Sequence, residues 1–184
     1  MSEEGLAFTN KGVLPKGEYE MTFQELRASI LVQGPKSPEV RDWDAPWRAH
    51  LVNQTEILVK QLWNIGVTEI FLDGSFTEAK PHPNDIDGYF ECDITLAASD
   101  TLRRSLNEQD QHKVWTWDDK DRKAYRGYFK KQLPMWHVYR VELWPHYGNP
   151  SGITDKFGNS LQFPAAFRKQ RGTFIEKGII KIIS

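Results

Sequence analysis

The sequence predicts an α/β domain, and three observations carry that expectation. Residues 44–66 repeat apolar side chains at helical spacing, with Trp47, Leu51, Leu58, Leu62 and Ile65 on one face and Gly66 as the stop. Residues 68–93 read as strand, turn, strand: T-E-I-F-L-D breaks at Gly74-Ser75, crosses a Pro-rich loop and re-enters an alternating run that carries Asp85 and Asp87. Residues 137–144, H-V-Y-R-V-E-L-W, alternate again, so the long helix has strands to pack on.

The 184 residues suit a single domain, 1–184, with one sizeable core. Formal net charge is −1 and the pI is near 6.5, so no global basic field draws the chain to nucleic acid, although a local patch is compatible with these totals. The single cysteine, Cys92, cannot form an internal disulfide; it falls on the apolar side of a strand, which predicts a buried thiol in a reducing compartment. No N-terminal leader pattern is present and no apolar run approaches the roughly 18 residues that span a bilayer. A cytoplasmic protein without a membrane partner is the expectation.

Residues 1–20 form an N-terminal arm in which V-L-P offers an edge strand. Thr22-Phe-Gln-Glu25 is a capping box that opens a short helix through about Ile30, and Pro35, Ser37 and Pro38 mark a break. Trp43, Trp47 and Trp63 offer a stacking surface for a base, but aromatic residues at helical spacing belong more naturally to the core.

The organising stretch is 68–93. Alternation puts Asp85, Asp87, Tyr89, Glu91 and Asp93 on one side and Ile86, Gly88, Phe90 and Cys92 on the other, core-facing side. Neighbouring carboxylates repel unless something positive lies between them, and hard oxygen ligands suit Mg²⁺. Gly74 lets the backbone approach a phosphate, Ser75 adds a hydroxyl, and the N–H groups of the turn, that of Phe76 among them, make an anion cradle. The competing reading is a simple turn entering an edge strand with solvated acids.

Further on, Ser99-Asp100 starts a polar helix through about Gln109, with Leu102 and Leu106 inward. A second helix is expected from Asp118 to just before Pro134, keeping Tyr125 and Phe129 inward. Its basic residues, Arg122, Lys123, Arg126, Lys130 and Lys131, are placed either to meet a triphosphate or a nucleic-acid acceptor, or to form a solvated face; Arg126 is the candidate ligand. In the 137–144 strand, Tyr139, Val141 and Leu143 point one way and Arg140, Glu142 and Trp144 the other, with His146 just beyond. A loop over 145–164, a short helix over 165–169 and a strand over 178–183, buried on both faces or packed at the sheet's end, complete the chain.

Gly-Ser, nine intervening residues and Asp-Ile-Asp resemble the signature of the nucleotidyltransferase superfamily that includes polymerase beta and the minimal nucleotidyltransferases. More broadly the chain resembles small phage and bacterial proteins with such a domain, through L-P-K-G, the long helix, the 68–93 core, V-E-L-W-P and K-G-I-I-K-I. The resemblance implies a short mixed central sheet flanked by helices. It implies that Asp85 and Asp87 bind Mg²⁺, or Mn²⁺ in its place, and that the turn at Gly74, Ser75 and Phe76 holds an NTP. The superfamily takes a third carboxylate, usually Asp, from a later strand; here Glu142 stands at that place. The implied activity moves NMP from the NTP to an acceptor, whether protein, RNA or small molecule, in a phage, toxin–antitoxin or defence setting.

The alternative is a non-catalytic module of the same fold that binds a protein, for instance a phage factor engaging a host protein, with Trp115, Trp117, Trp136 and Trp144 as aromatic anchors. Retention of the carboxylates argues against it. A nuclease would leave the Gly-Ser turn without a task.

Overall fold

In the computed structural model, which describes residues 6–36 and 42–184, regular structure begins with β1 (Glu18–Met21). The expected break at Ser37-Pro38 lies outside the described residues. Helix α1 (Phe23–Ala28) starts on the predicted capping box: Thr22 accepts from the Glu25 N–H, and the Glu25 carboxylate accepts from the Thr22 N–H. After α2 (Ile30–Gln33), α3 (Ala45–Asn64) is capped by the Asp44 carboxylate on the Trp47 N–H. Its buried residues are Arg48, Leu51, Val52, Thr55, Leu58, Val59, Gln61 and Leu62, so one arginine takes a place in a mostly apolar row.

Strand β2 (Ile70–Asp73) runs into a single 3-10 turn, Gly74–Thr77, and β3 (Ile86–Glu91) returns antiparallel to it. Asp93 leaves the strand and caps α4 (Ile94–Ala98), an element the alternation of 85–93 concealed; α5 (Thr101–Gln109) follows as expected. The helix expected over 118–133 does not form. A short 3-10 turn, Asp119–Asp121, gives way to a loop closed by paired backbone hydrogen bonds between Lys123 and Gln132, both 2.8 Å. Gly127, at φ 80°, makes the corner, and Phe129, expected inward, is fully exposed.

The 137–144 strand is also corrected. Pro134 fits the first turn of a helix, where its missing N–H costs nothing, and α6 (Pro134–Tyr139) forms with Met135, Trp136 and Tyr139 buried. Arg140, left-handed at φ 56°, ends it, and β4 (Val141–His146) begins only there. His146 is therefore the last strand residue. The expected loop over 145–164 contains a hairpin, β5 (Pro150–Thr154) with β6 (Ser160–Gln162), followed by α7 (Phe163–Ala166). The chain's last strand is β7 (Ile179–Ile182).

The main sheet has the order β1-β7-β2-β3-β4, with β1 parallel to β7, β3 parallel to β4, and the pairs β7–β2 and β2–β3 antiparallel. A mixed α/β domain is thus observed, and the isoleucine-rich tail sits inside the sheet. On one face Ile70, Leu72, Ile86, Phe90, Val141, Leu143, Ile180 and Ile182 pack in the principal core with the α3 stripe. The other face carries a smaller aromatic cluster, Phe71, Tyr89, Phe163 and Phe167, and the acids. Among the described residues no helix is long and apolar enough to cross a membrane. Cys92 is half-buried, and burial pushes its thiol up to about 11, which suits packing rather than nucleophilic chemistry.

Candidate functional site

Register builds the site. In β2–β3 pairing Asp73 stands opposite Asp87, and in β3–β4 pairing Asp87 stands opposite Glu142. Strand side chains alternate, so all three carboxylates share the sheet face away from the principal core. The next row on that face is aromatic: Phe71 opposite Tyr89, and Tyr89 opposite Trp144. Asp85 lies one residue before β3, where one carboxylate oxygen accepts from the Trp136 indole N–H at 2.7 Å.

The carboxylates are held against electrostatic preference. Burial raises Asp87 well above the ordinary carboxylate range, and the negative charges of Asp85, Glu142 and Asp73 push it further, against the pull of Lys177. Glu142 is raised by burial, opposed by Arg122, whose guanidinium stands 3.8 Å away. Asp85 is raised by burial and partly relieved by Trp136, Lys80 and Arg140. Glu142 Oε1 is buried without a hydrogen-bond partner among the described residues. An orphaned acceptor beside other acids is a costly arrangement for folding alone.

The Gly-Ser turn abuts these acids. Gly74 has φ 75°, and a Cβ there would overlap Oδ2 of Asp87, so the close approach of backbone to carboxylate requires glycine. Ser75 is half-buried at the turn. The Phe76 ring is fully buried, and its carbonyl is taken by Arg48. Sequence reasoning missed Arg48, which also donates to the carbonyls of Leu31 and Lys80 and lies between the rings of Trp43 and Phe76. Burial lowers its guanidinium to about 9. Its place in the α3 stripe was the available signal.

Asp73 and Lys177 were missed as well. Lys177, just ahead of β7, is buried and donates to the Gly74 carbonyl at 2.9 Å and to Glu78 at 2.9 Å, with Asp73 at 3.0 Å. Thr77 donates to Asp73 at 3.0 Å. Desolvation still leaves Asp73 raised to about 6. The segment leading into β7, the neighbour of β2, thereby fixes the turn. An acid at the end of a strand directly before glycine was the visible hint for Asp73; nothing local marks Lys177.

Of the residues singled out from the sequence, Asp85, Asp87, Glu142, Gly74, Ser75 and Phe76 fall at this one end of the sheet. Arg126 does not: with the expected helix absent, it is exposed at the tip of the 123–132 loop, and Arg122 is the arginine beside Glu142. His146 pairs with Glu91 at 2.8 Å, at the far end of β4 from Glu142. Trp115 and Trp136 are fully buried, so they are not free interface anchors.

Fold and site together define a mixed α/β protein with an acidic site at the end of its central sheet. The chain belongs to a family of unknown function (DUF6932), which matches residues 6–183. No curated protein and no solved structure matches it.

Proposed function

We propose that the protein is a divalent-cation-dependent nucleotidyltransferase that moves NMP from an NTP to an acceptor hydroxyl. The observation that carries this reading is the register of Asp87: it touches the glycine of the Gly-Ser turn on one side and faces Glu142, one of whose oxygens accepts no hydrogen bond among the described residues, on the other.

The donor chemistry fits Mg²⁺, since Asp85, Asp87 and Glu142 supply hard oxygens and their crowding is relieved by a cation. Among the described residues no three His, Cys, Asp or Glu side chains converge closely enough to hold an ion alone. An ion here would take one or two carboxylates and complete its shell with phosphate oxygens and water. When bound, Mg²⁺ would neutralise charge on the triphosphate and the departing pyrophosphate.

The chain's own residues do the rest. The N–H groups of the 74–76 turn and the Ser75 hydroxyl receive the terminal phosphates. Glu142, with its raised proton affinity, accepts the proton of the acceptor hydroxyl. The hydroxyl oxygen bonds to the α-phosphorus in line, the bond from that phosphorus to the bridging oxygen breaks, and pyrophosphate leaves with the electron pair. Trp136 holds Asp85 in place through its indole N–H.

The test is transfer of label from the α-³²P NTPs with Mg²⁺ in a bacterial lysate, wild type against Asp85→Ala/Asp87→Ala. Label lost in the double variant supports the reading, and the product's sensitivity to protease or nuclease gives the acceptor class. A second reading, a protein-binding module of the same architecture, draws on the lack of a closed three-ligand set. Capture of a host protein equally well with and without those aspartates, and no transfer, favours that second reading.

A further inference from the structure

We propose that the loop over residues 122–132 docks single-stranded nucleic acid and delivers it to the acidic site; its delivery role rests on the nucleotidyltransferase reading, whereas docking does not. Residues 122–131 hold Arg122, Lys123, Arg126, Lys130 and Lys131 and no acid, in a chain whose totals are 24 basic and 25 acidic residues. Among the described residues Lys123, Arg126, Lys130 and Lys131 form no ion pair. Four free cations on a short loop make a strong local field on a nearly neutral protein.

Aromatic rings are interleaved with that charge. Phe129 is fully exposed between Tyr128 and Lys130, and Tyr125 is 39% exposed. An apolar ring held in water among cations has no folding rationale, but it offers a nucleobase a stacking face while the lysines meet phosphates. An acidic peptide would satisfy the charge and leave the ring unused.

The loop is fixed rather than free. Tyr125 and Tyr128 pack edge-on against Trp136, with ring centroids 5.1 and 5.0 Å away, and Arg140 stacks over Trp136 at 3.9 Å. Both feet of the loop stand on the candidate site: Arg122 beside Glu142, and the chain beyond Gln132 leading to Trp136, which donates to Asp85. A nucleic-acid strand lying along the loop therefore comes close to the carboxylates, and a terminus of that strand is the acceptor this placement fits.

The experiment is fluorescence anisotropy with fluorescein-labelled single-stranded oligoribonucleotides and oligodeoxyribonucleotides of ~12 nucleotides, titrated from about 50 to 300 mM salt. Wild type is expected to bind either or both, the preferred sugar identifying the source. Arg126→Glu/Lys130→Glu/Lys131→Glu, all at exposed positions, is expected to weaken binding more than about tenfold and to lower the salt slope by about 2. Phe129→Ala is expected to weaken it at least about fivefold. Absence of wild-type binding at the lowest salt, or an unchanged triple variant, overturns the proposal. So does equal binding of labelled poly-glutamate with no effect of Phe129→Ala, which would make the loop a surface for acidic proteins. Binding without label transfer would refute the enzyme reading and leave docking standing, while transfer to a protein without oligonucleotide binding would do the reverse.

Discussion

Gly74 and Asp87 compete for one space: the aspartate's carboxylate lies where a side chain on the glycine would go, with Asp87 Cβ only 3.1 Å from that point. Two separate constraints meet there, a left-handed backbone and a contact across the β2–β3 pair. Gly74→Ala is expected to cost about 1–3 kcal/mol of stability from the backbone conformation alone, plus the overlap. Adding Asp87→Ala removes the overlap with the carboxylate, leaving the 3.1 Å approach of its Cβ and the backbone strain. Urea denaturation of the two single variants and the double variant should show a coupling of at least about 0.5 kcal/mol in the relieving direction. Additive losses would mean that the two residues do not share the space.

Among the described residues Lys177 is the one basic group that Asp73, Thr77 and the Gly74 carbonyl share, and it also pairs with Glu78. Lys177→Met keeps the stem and removes the charge, leaving two acids without their cation. The expected loss is about 3–5 kcal/mol by chemical denaturation, because an uncompensated buried charge is costlier than a missing pair. Lys177→Met/Asp73→Asn should recover part of it, since the buried acid is then neutral.

These two relationships also show what the sequence could and could not convey. Strand, Gly-Ser, loop and acid-bearing strand were legible because each has a local signature: turn chemistry, alternation and spacing. Register was not. Asp73 joins the acids only through β2–β3 pairing, and Lys177 arrives from a strand whose place between β1 and β2 no local pattern encodes. The 137–144 segment misled because H-V-Y-R-V-E-L-W alternates, yet Pro134 and the burial of Met135, Trp136 and Tyr139 favour a helix for its first part. In the 118–133 segment, the helical spacing of Tyr125 and Phe129 mimics a core stripe. The chain instead turns at Gly127 and buries Trp136 beneath the tyrosines, which leaves Phe129 outside.

Arg48 ties the turn to the helical layer. Its guanidinium spans the carbonyls of Leu31, Phe76 and Lys80, so the loop after the Gly-Ser turn is hung from α3. Arg48→Met fills similar volume but strands three acceptors, those of Leu31 and Phe76 buried and that of Lys80 partly so. A loss of about 3 kcal/mol or more is expected in denaturant, from acceptors costing roughly 1–3 kcal/mol each when left unsatisfied. Proteolysis should then cut first within residues 74–85. Cleavage beginning elsewhere would argue that Arg48 supports the core in general and not this loop.

The acids make stability depend on pH in a direction opposite to that of paired surface carboxylates. Asp87 has a folded proton affinity well above its unfolded one, and burial raises those of Asp85, Glu142 and Asp73 as well, the last to about 6. A group raised in this way contributes stability that is complete below its unfolded value and is lost as pH rises through the folded one. Other carboxylates, such as Glu25 and Asp44, are lowered and oppose the trend, so the difference between variant and wild type is the cleaner readout. Asp87→Asn removes the most crowded charge. Its melting temperature relative to wild type should therefore climb as pH goes from about 4 to 8 without divalent ions, each kcal/mol appearing as roughly 2–4 °C in a protein of this size. Mg²⁺ should then stabilise the wild type at pH 8 and shrink that gap, because a ligand that binds only the folded state raises its stability by mass action. A gap that is flat with pH would show that Asp87 is neither buried nor crowded in solution. A gap that grows with pH but ignores Mg²⁺ and Mn²⁺ would keep the electrostatics and remove the metal from the proposed chemistry.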